Sequence, residues 1–133
     1  MSNELFIALA TFADEVSTKL NLVGTAGEPE EQLRAPFEKF IQAAGNVFGM
    51  NVVPMGEVRV KNIGKPDYAI YCDETLCGYV EVKRVGKGAD PTIYQGHDKS
   101  QWERFKALPC ILYTDGNEWE LFREAKEDLP LFA

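Results

Sequence analysis

The chain has 133 residues, enough for one domain with a substantial core, and its hydrophobic and charged fractions of 45% and 26% are those of an ordinary globular protein. With 21 acidic against 14 basic residues the formal charge is −7, which excludes a uniformly basic surface and makes the chain as a whole repel DNA at long range. No run of about 18 apolar residues marks a membrane span. The first residues lack the basic stretch and apolar core of a signal peptide, so a cytoplasmic location is expected.

In chain order, Asn3 to Leu20 reads as an amphipathic packing helix, with Leu5, Leu9, Phe12, Val16 and Leu20 at helical spacing. A loop with two glycines, residues 21–27, follows. Glu28 to Ala44 reads as a second helix, with Pro29 in its first turn, a kink expected at Pro36, and a stripe of Leu33, Phe37, Phe40, Ile41 and Ala44. At about 100° per residue, Glu30 falls roughly 20° from Phe37 and Ile41, on the apolar stripe, while Glu31 faces away. An acid on an apolar stripe needs a partner or a metal. Its plainer role is a helix-dipole residue, or a partner of Arg34 one turn on.

Asn51 to Val60 holds a first strand, Val52-Val53 and Glu57 to Val60, broken at Pro54-Met55-Gly56. Lys61 to Gly64 turns into a hairpin. Pro66 opens one strand, which continues through Tyr68 to Tyr71. Cys72 to Thr75 is a polar turn, and Leu76 to Lys83 is the return strand. Residues 84–100, RVGKGADPTIYQGHDKS, read as a mobile glycine-rich loop, locally basic at Arg84, Lys87 and Lys99. Ser100 to Leu108 reads as a helix capped by Ser100 or Asp98, with Trp102, Phe105 and Leu108 inward. Cys110 to Thr114 and Glu118 to Arg123 form strands around an Asp115-Gly116-Asn117 turn, and a charged tail ends in an apolar Leu129-Pro130-Leu131-Phe132-Ala133. Such an ending is expected either to dock on this domain or to belong to a junction with a following one. The alternation of elements predicts an α/β fold with a central mixed sheet flanked by helices. Segments 1–27, 28–123 and 124–133 divide the chain into an N-terminal helix and loop, a core, and a tail.

Three cysteines, Cys72, Cys77 and Cys110, have no metal-ligand spacing and are expected to be reduced. Cys72 and Cys77 flank a turn, where a cross-strand disulfide is the alternative. His97 has no second histidine with which to complete a zinc site.

The chemically loaded stretch is Gly64 to Lys83. Side chains alternate along a strand, so Tyr79, Glu81 and Lys83 share one face, opposite Val80 and Val82. Glu-x-Lys thus sets a carboxylate beside an ammonium. The register of the neighbouring strand can bring Asp67 next to Glu81, while Glu57 ranks below it. Two carboxylates and a lysine at a sheet edge are the parts that hold a divalent metal and activate water.

Pro66-Asp67 followed by Glu81-Val82-Lys83 resembles the PD-(D/E)xK nuclease superfamily. With Glu30 on a preceding helix and QWERFKALPCILYTDGNEWELF from Gln101 onward, the chain resembles the N-terminal nuclease domain of single-polypeptide restriction–modification enzymes. The resemblance implies a restriction-endonuclease-like core and Mg²⁺-dependent hydrolysis of DNA, with Mn²⁺ able to substitute. It implies metal ligation by Asp67, Glu81, the Val82 carbonyl and Glu30, with Glu31 the fallback for Glu30. Lys83 would stabilise developing charge, Gln101 would orient the site, and Arg84, Lys87 and Lys99 would meet phosphates. DNA would be delivered by motor, methyltransferase and target-recognition modules, which accommodates the acidic charge; a local basic patch is the other accommodation. The alternatives are an inactive nuclease fold used as a DNA- or protein-binding module, and an interaction protein whose Glu30, Asp67 and Glu81 do not cluster.

Overall fold

The computed structural model describes residues 2–22 and 29–123; segment 23–28 and the tail 124–133, with the expectations attached to them, lie outside the described residues. Helix α1 spans Ser2–Leu20, and a 3-10 turn, Pro29–Leu33, leads directly into α2, Arg34–Val47. Strands β1 (Val52–Gly56), β2 (Tyr68–Cys72) and β3 (Thr75–Val82) follow. A 3-10 turn, Pro91–Ile93, precedes α3 (Gly96–Phe105), and β4 (Cys110–Thr114) and β5 (Trp119–Arg123) complete the order.

The strands form one five-stranded sheet in chain order. Neighbours are antiparallel except β3 and β4, which run parallel because α3 lies in the connection between them. This is an α/β fold with a mixed sheet and flanking helices, compatible with a restriction-endonuclease-like core.

Alternation along the strands builds a core on each face. Val80 and Val82 of β3 pack with Tyr68, Phe12 and Val16 of α1, and Leu33 and Phe37 of the α2 region. On the other face Ile111 and Tyr113 of β4 pack with Phe105 of α3 and with Ala89, Tyr94 and Leu108. Leu112 and Trp119 join the first core, and Tyr79 and Phe122 the second. Glu81 and Lys83 share their face with Tyr79, and so emerge towards α3.

Several sequence expectations change. The second helix is not continuous from residue 28: a 3-10 turn occupies Pro29–Leu33. Pro36 therefore sits in the first turn of α2, where its missing N–H has no intrahelical partner to lose, and no kink is required. The first strand runs unbroken through Pro54 because β1 is the sheet edge, where a residue without an N–H is tolerated. Beyond it Glu57 turns at φ 53, and Val60 makes only an isolated bridge to Gly64, so residues 57–60 are not a strand. β2 begins at Tyr68 rather than Pro66, and the hairpin turn shrinks to Asp73 and Glu74, at φ 49 and 69. Such a pair of left-handed residues matches the right-handed twist of the strands. On α1 the expected stripe is only half used: Phe12 and Val16 are buried, while Leu9 is 45% and Leu20 37% exposed. The three cysteines are free thiols.

The segment expected to be a mobile loop is tied down. Asp115, buried at the β4–β5 turn, accepts hydrogen bonds from the N–H groups of Gly86 (3.2 Å), Gly88 (2.8 Å), Asn117 (2.9 Å) and Glu118 (2.7 Å). The Tyr94 hydroxyl donates to the Gly88 carbonyl at 2.6 Å. α3 then starts at Gly96, four residues before Ser100. Its N-cap is Gln95, with no side-chain cap bond, so neither Ser100 nor Asp98 caps it. Among the described residues no helix is long and apolar enough to cross a membrane.

Candidate active site

The β2–β3 pairing sets the site. Tyr68 stands opposite Val80, so Asp67, one residue outward, lies beside Glu81. The two acids interlock through the backbone. Asp67 N–H donates to Glu81 Oε1 at 3.1 Å, and Val82 N–H donates to Asp67 Oδ2 at 2.7 Å. Arg34, at the start of α2, places Nη1 at 3.0 Å from Asp67 Oδ1.

Lys83 continues the parallel ladder by one residue, its N–H donating to the Thr114 carbonyl at 2.8 Å. Its ammonium meets three acceptors: Gln101 Oε1 at 2.8 Å, Asp98 Oδ1 at 3.0 Å and Glu81 Oε2 at 3.4 Å. The second Asp98 oxygen lies 2.8 Å from Lys87 Nζ. Glu81 and Lys83 are each only 5% exposed, so their charges are decided by neighbours rather than by water.

Burial, with the nearby Asp67 carboxylate, pushes Glu81 up to about 8, against the pull of Lys83 and the Asp67 N–H. Burial alone would lower Lys83, but Glu81 and Asp98 outweigh it and hold the ammonium above its ordinary value. Burial would also raise Asp98; Lys87 and Lys83 reverse that and keep it ionised below the usual carboxylate range. Glu30 is raised, by burial first, with Asp67 and Asp98 adding to it and Lys83 opposing.

These groups line one cleft of about 410 Å³. It brings together Glu30, Asp67, Glu81, Val82, Lys83 and Gln101, with Arg84 and Lys87 from the expected phosphate-contacting set. Glu31 also lines it, so both helix acids stand at the rim. The geometric reason differs from the one expected: Glu30 is an exposed residue of a 3-10 turn, not a member of a buried α-helical stripe. Gln101 sits mid-helix rather than in the first turn of α3. Lys99 is exposed and does not line the cleft, because it points away from the side of α3 that carries Asp98 and Gln101. Glu57 is likewise absent from it and lies 4.0 Å from Lys65.

Sequence reasoning missed Arg34, Asp98 and His97 as cleft residues. Asp98 and Gln101 are three apart on one helix, a spacing that would have grouped them had α3 been expected to begin before Ser100. Arg34 gave no signal towards Asp67, since 33 residues separate them.

The donor set fits a hard divalent cation. Glu81 and Asp67 offer oxygen ligands, and burial first, with the Asp67 carboxylate second, raises Glu81, an effect that a nearby cation would oppose. Among the described residues no three His, Cys, Asp or Glu side chains are grouped closely enough to cage an ion unaided. Mg²⁺ typically takes one or two carboxylates and keeps several waters, so the Asp67–Glu81 pair meets its demands.

No family model matches the chain, and no curated protein matches it. Among solved structures the fold is similar to part of a chain in the cryo-EM structure of a DrdV–DNA complex, with a TM-score of 0.65 and 19% identity. That match covers 92% of this chain and 12% of the other, so the present chain corresponds to a small part of a much larger polypeptide, and what the two share is the fold.

Proposed function

We propose that this chain is a Mg²⁺-dependent DNA endonuclease domain of a restriction–modification system. The observation that carries the reading is the interlock of Asp67, Glu81 and Lys83 at one cleft wall, on a fold similar to part of a chain found in a DNA complex. Asp67, Glu81 and the Val82 carbonyl would hold Mg²⁺, or Mn²⁺ in its place, with Glu30 at the rim. Bound there, the ion would supply the positive charge that phosphodiester hydrolysis requires.

The chain's own side chains do the rest. Gln101 and Asp98 hold the Lys83 ammonium at the acid pair, where it meets negative charge as it develops on the scissile phosphate. Arg84 and Lys87 at the mouth contact phosphate without reading sequence. Motor, methyltransferase and target-recognition modules, in the same or another chain, would deliver DNA. A second reading, an inactive nuclease fold that binds DNA or protein, is favoured by one observation: the Arg34 guanidinium already pairs with Asp67 Oδ1.

The test is nicking of supercoiled plasmid with Mg²⁺ or Mn²⁺ by the wild type, Asp67→Ala and Lys83→Ala. Cutting that needs metal and falls about 100-fold or more in both variants supports the endonuclease. Well-folded wild type that neither cuts nor binds Mn²⁺ in calorimetry favours the second reading.

A further inference from the structure

The cleft does not explain how a phosphate backbone would approach it. Its lining sets Arg34, Lys83, Arg84 and Lys87 against Glu30, Glu31, Asp67, Glu81 and Asp98, so it carries no surplus of cations. In a chain of charge −7, a polyanion must be held by cations gathered elsewhere.

A second groove, of about 480 Å³, lies between the β1–β2 connection and the end of α3. Arg59, Lys61 and Arg104 line it, and no acidic residue does. Arg59 and Lys61 are exposed, and no carboxylate among the described residues lies within 4.0 Å of either.

The groove is preformed. Val60 N–H donates to the Gly64 carbonyl at 2.7 Å, and Gly64 N–H returns to the Val60 carbonyl at 3.0 Å. Ile63 packs into the core beneath α3, and Arg104 Nε donates to the Ile63 carbonyl at 3.1 Å. Gly64 adopts φ +132, and a Cβ there would stand 3.4 Å from the Phe105 ring, so glycine allows the connection to lie against the helix.

Its position relative to the cleft is fixed by two covalent links. Gln101 in the cleft and Arg104 in the groove are three residues apart on α3, about 4.5 Å along the helix axis. Gly64 at the groove is likewise three residues before Asp67.

We propose that the Arg59–Lys61–Arg104 groove binds backbone phosphates of duplex DNA next to those entering the cleft. The inference rests on the nuclease reading of the cleft and supplies the cationic surface that the cleft lacks. Lys61 and Arg59 provide point contacts, while Arg104, held by the Ile63 and Ser100 carbonyls, keeps a fixed guanidinium at the junction.

The experiment is fluorescence anisotropy of a labelled duplex in EDTA across a KCl series, with wild type, the double variant Arg59→Gln/Lys61→Gln, and Asp67→Asn. Arg59 and Lys61 have exposed side chains, and an unchanged unfolding midpoint verifies that the double variant folds. The expected result is about tenfold weaker binding by the double variant at low salt, with the slope of log K against log salt shallower by about two. Asp67→Asn, which removes one negative charge from the cleft wall, should bind no more weakly than wild type. Equal affinity and slope for the double variant and wild type, or no duplex binding by wild type at low salt, would overturn the groove. Plasmid nicking judges the cleft separately: binding lost in the double variant without any cutting by wild type supports the groove alone, and cutting that persists undiminished in the double variant supports the cleft alone.

Discussion

Asp67 and Glu81 interlock through the main chain: the Asp67 N–H, one residue before β2, donates to Glu81 Oε1 on β3 at 3.1 Å, and the Val82 N–H beside Glu81 donates to Asp67 Oδ2 at 2.7 Å. Each acid thereby fixes the other's place at the cleft wall. Arg34 then sets a guanidinium against Asp67 and Lys83 an ammonium against Glu81, on oxygens that the proposed divalent cation would share.

Arg34 consequently competes with that cation. Arg34→Met removes a positive charge 3.0 Å from Asp67 Oδ1 and should tighten Mn²⁺ binding by about three- to tenfold in calorimetry. Weaker binding in the variant would instead make Arg34 the residue that holds Asp67 in position.

The pH dependence of stability follows from Glu81, which sits at about 8 in the folded chain against an ordinary 4.5. Between these values the folded state holds a proton that the unfolded state has released. Stability from this group is therefore full below 4.5 and is lost as pH rises through about 8. Glu30, raised as well, adds in the same direction. Asp98 and Asp115 are lowered from 3.8, so their contributions are lost only in stronger acid. Glu81→Gln should flatten thermal midpoints measured from about pH 5 to 8 in EDTA and exceed wild type at the alkaline end. An unchanged slope would remove Glu81 as its source.

Asp115 should be a stability residue rather than a chemical one. Burial would raise it, but the N–H groups of Glu118, Asn117, Gly88 and Gly86 hold it below its ordinary value. Asp115→Ala leaves those donors without their acceptor and should cost about 2–4 kcal/mol in urea unfolding. It should also raise proteolytic sensitivity in the 84–90 segment. A loss under about 0.5 kcal/mol would show that the segment is held by other contacts.

Glu30 and Glu31 both reach the cleft rim, but the charges of Lys83, Asp67 and Asp98 act on Glu30. Plasmid nicking should fall about tenfold in Glu30→Gln and stay within about twofold in Glu31→Gln. The reverse order would assign the rim acid to Glu31.

By itself the sequence determined the α/β class, the hairpin carrying Asp67 and Glu81, and the shared face of Glu81 and Lys83. These are local quantities: strand periodicity, turn residues and short spacing decide them without reference to the rest of the chain. It misjudged residues 84–100, because glycines that mark a loop by composition also let backbone N–H groups approach a buried carboxylate, and Asp115 lies 27 and 29 residues away from the two it holds. It placed Glu30 correctly near the acids for the wrong reason, assuming helix periodicity where a 3-10 turn stands. Only the tertiary structure joined Arg34 to Asp67 and Asp98 to Lys83, and only it gathered Arg59, Lys61 and Arg104 into one groove. Those pairings bridge segments 15 to 45 residues apart, and a charge in sequence carries no record of the distant partner that folding brings to it.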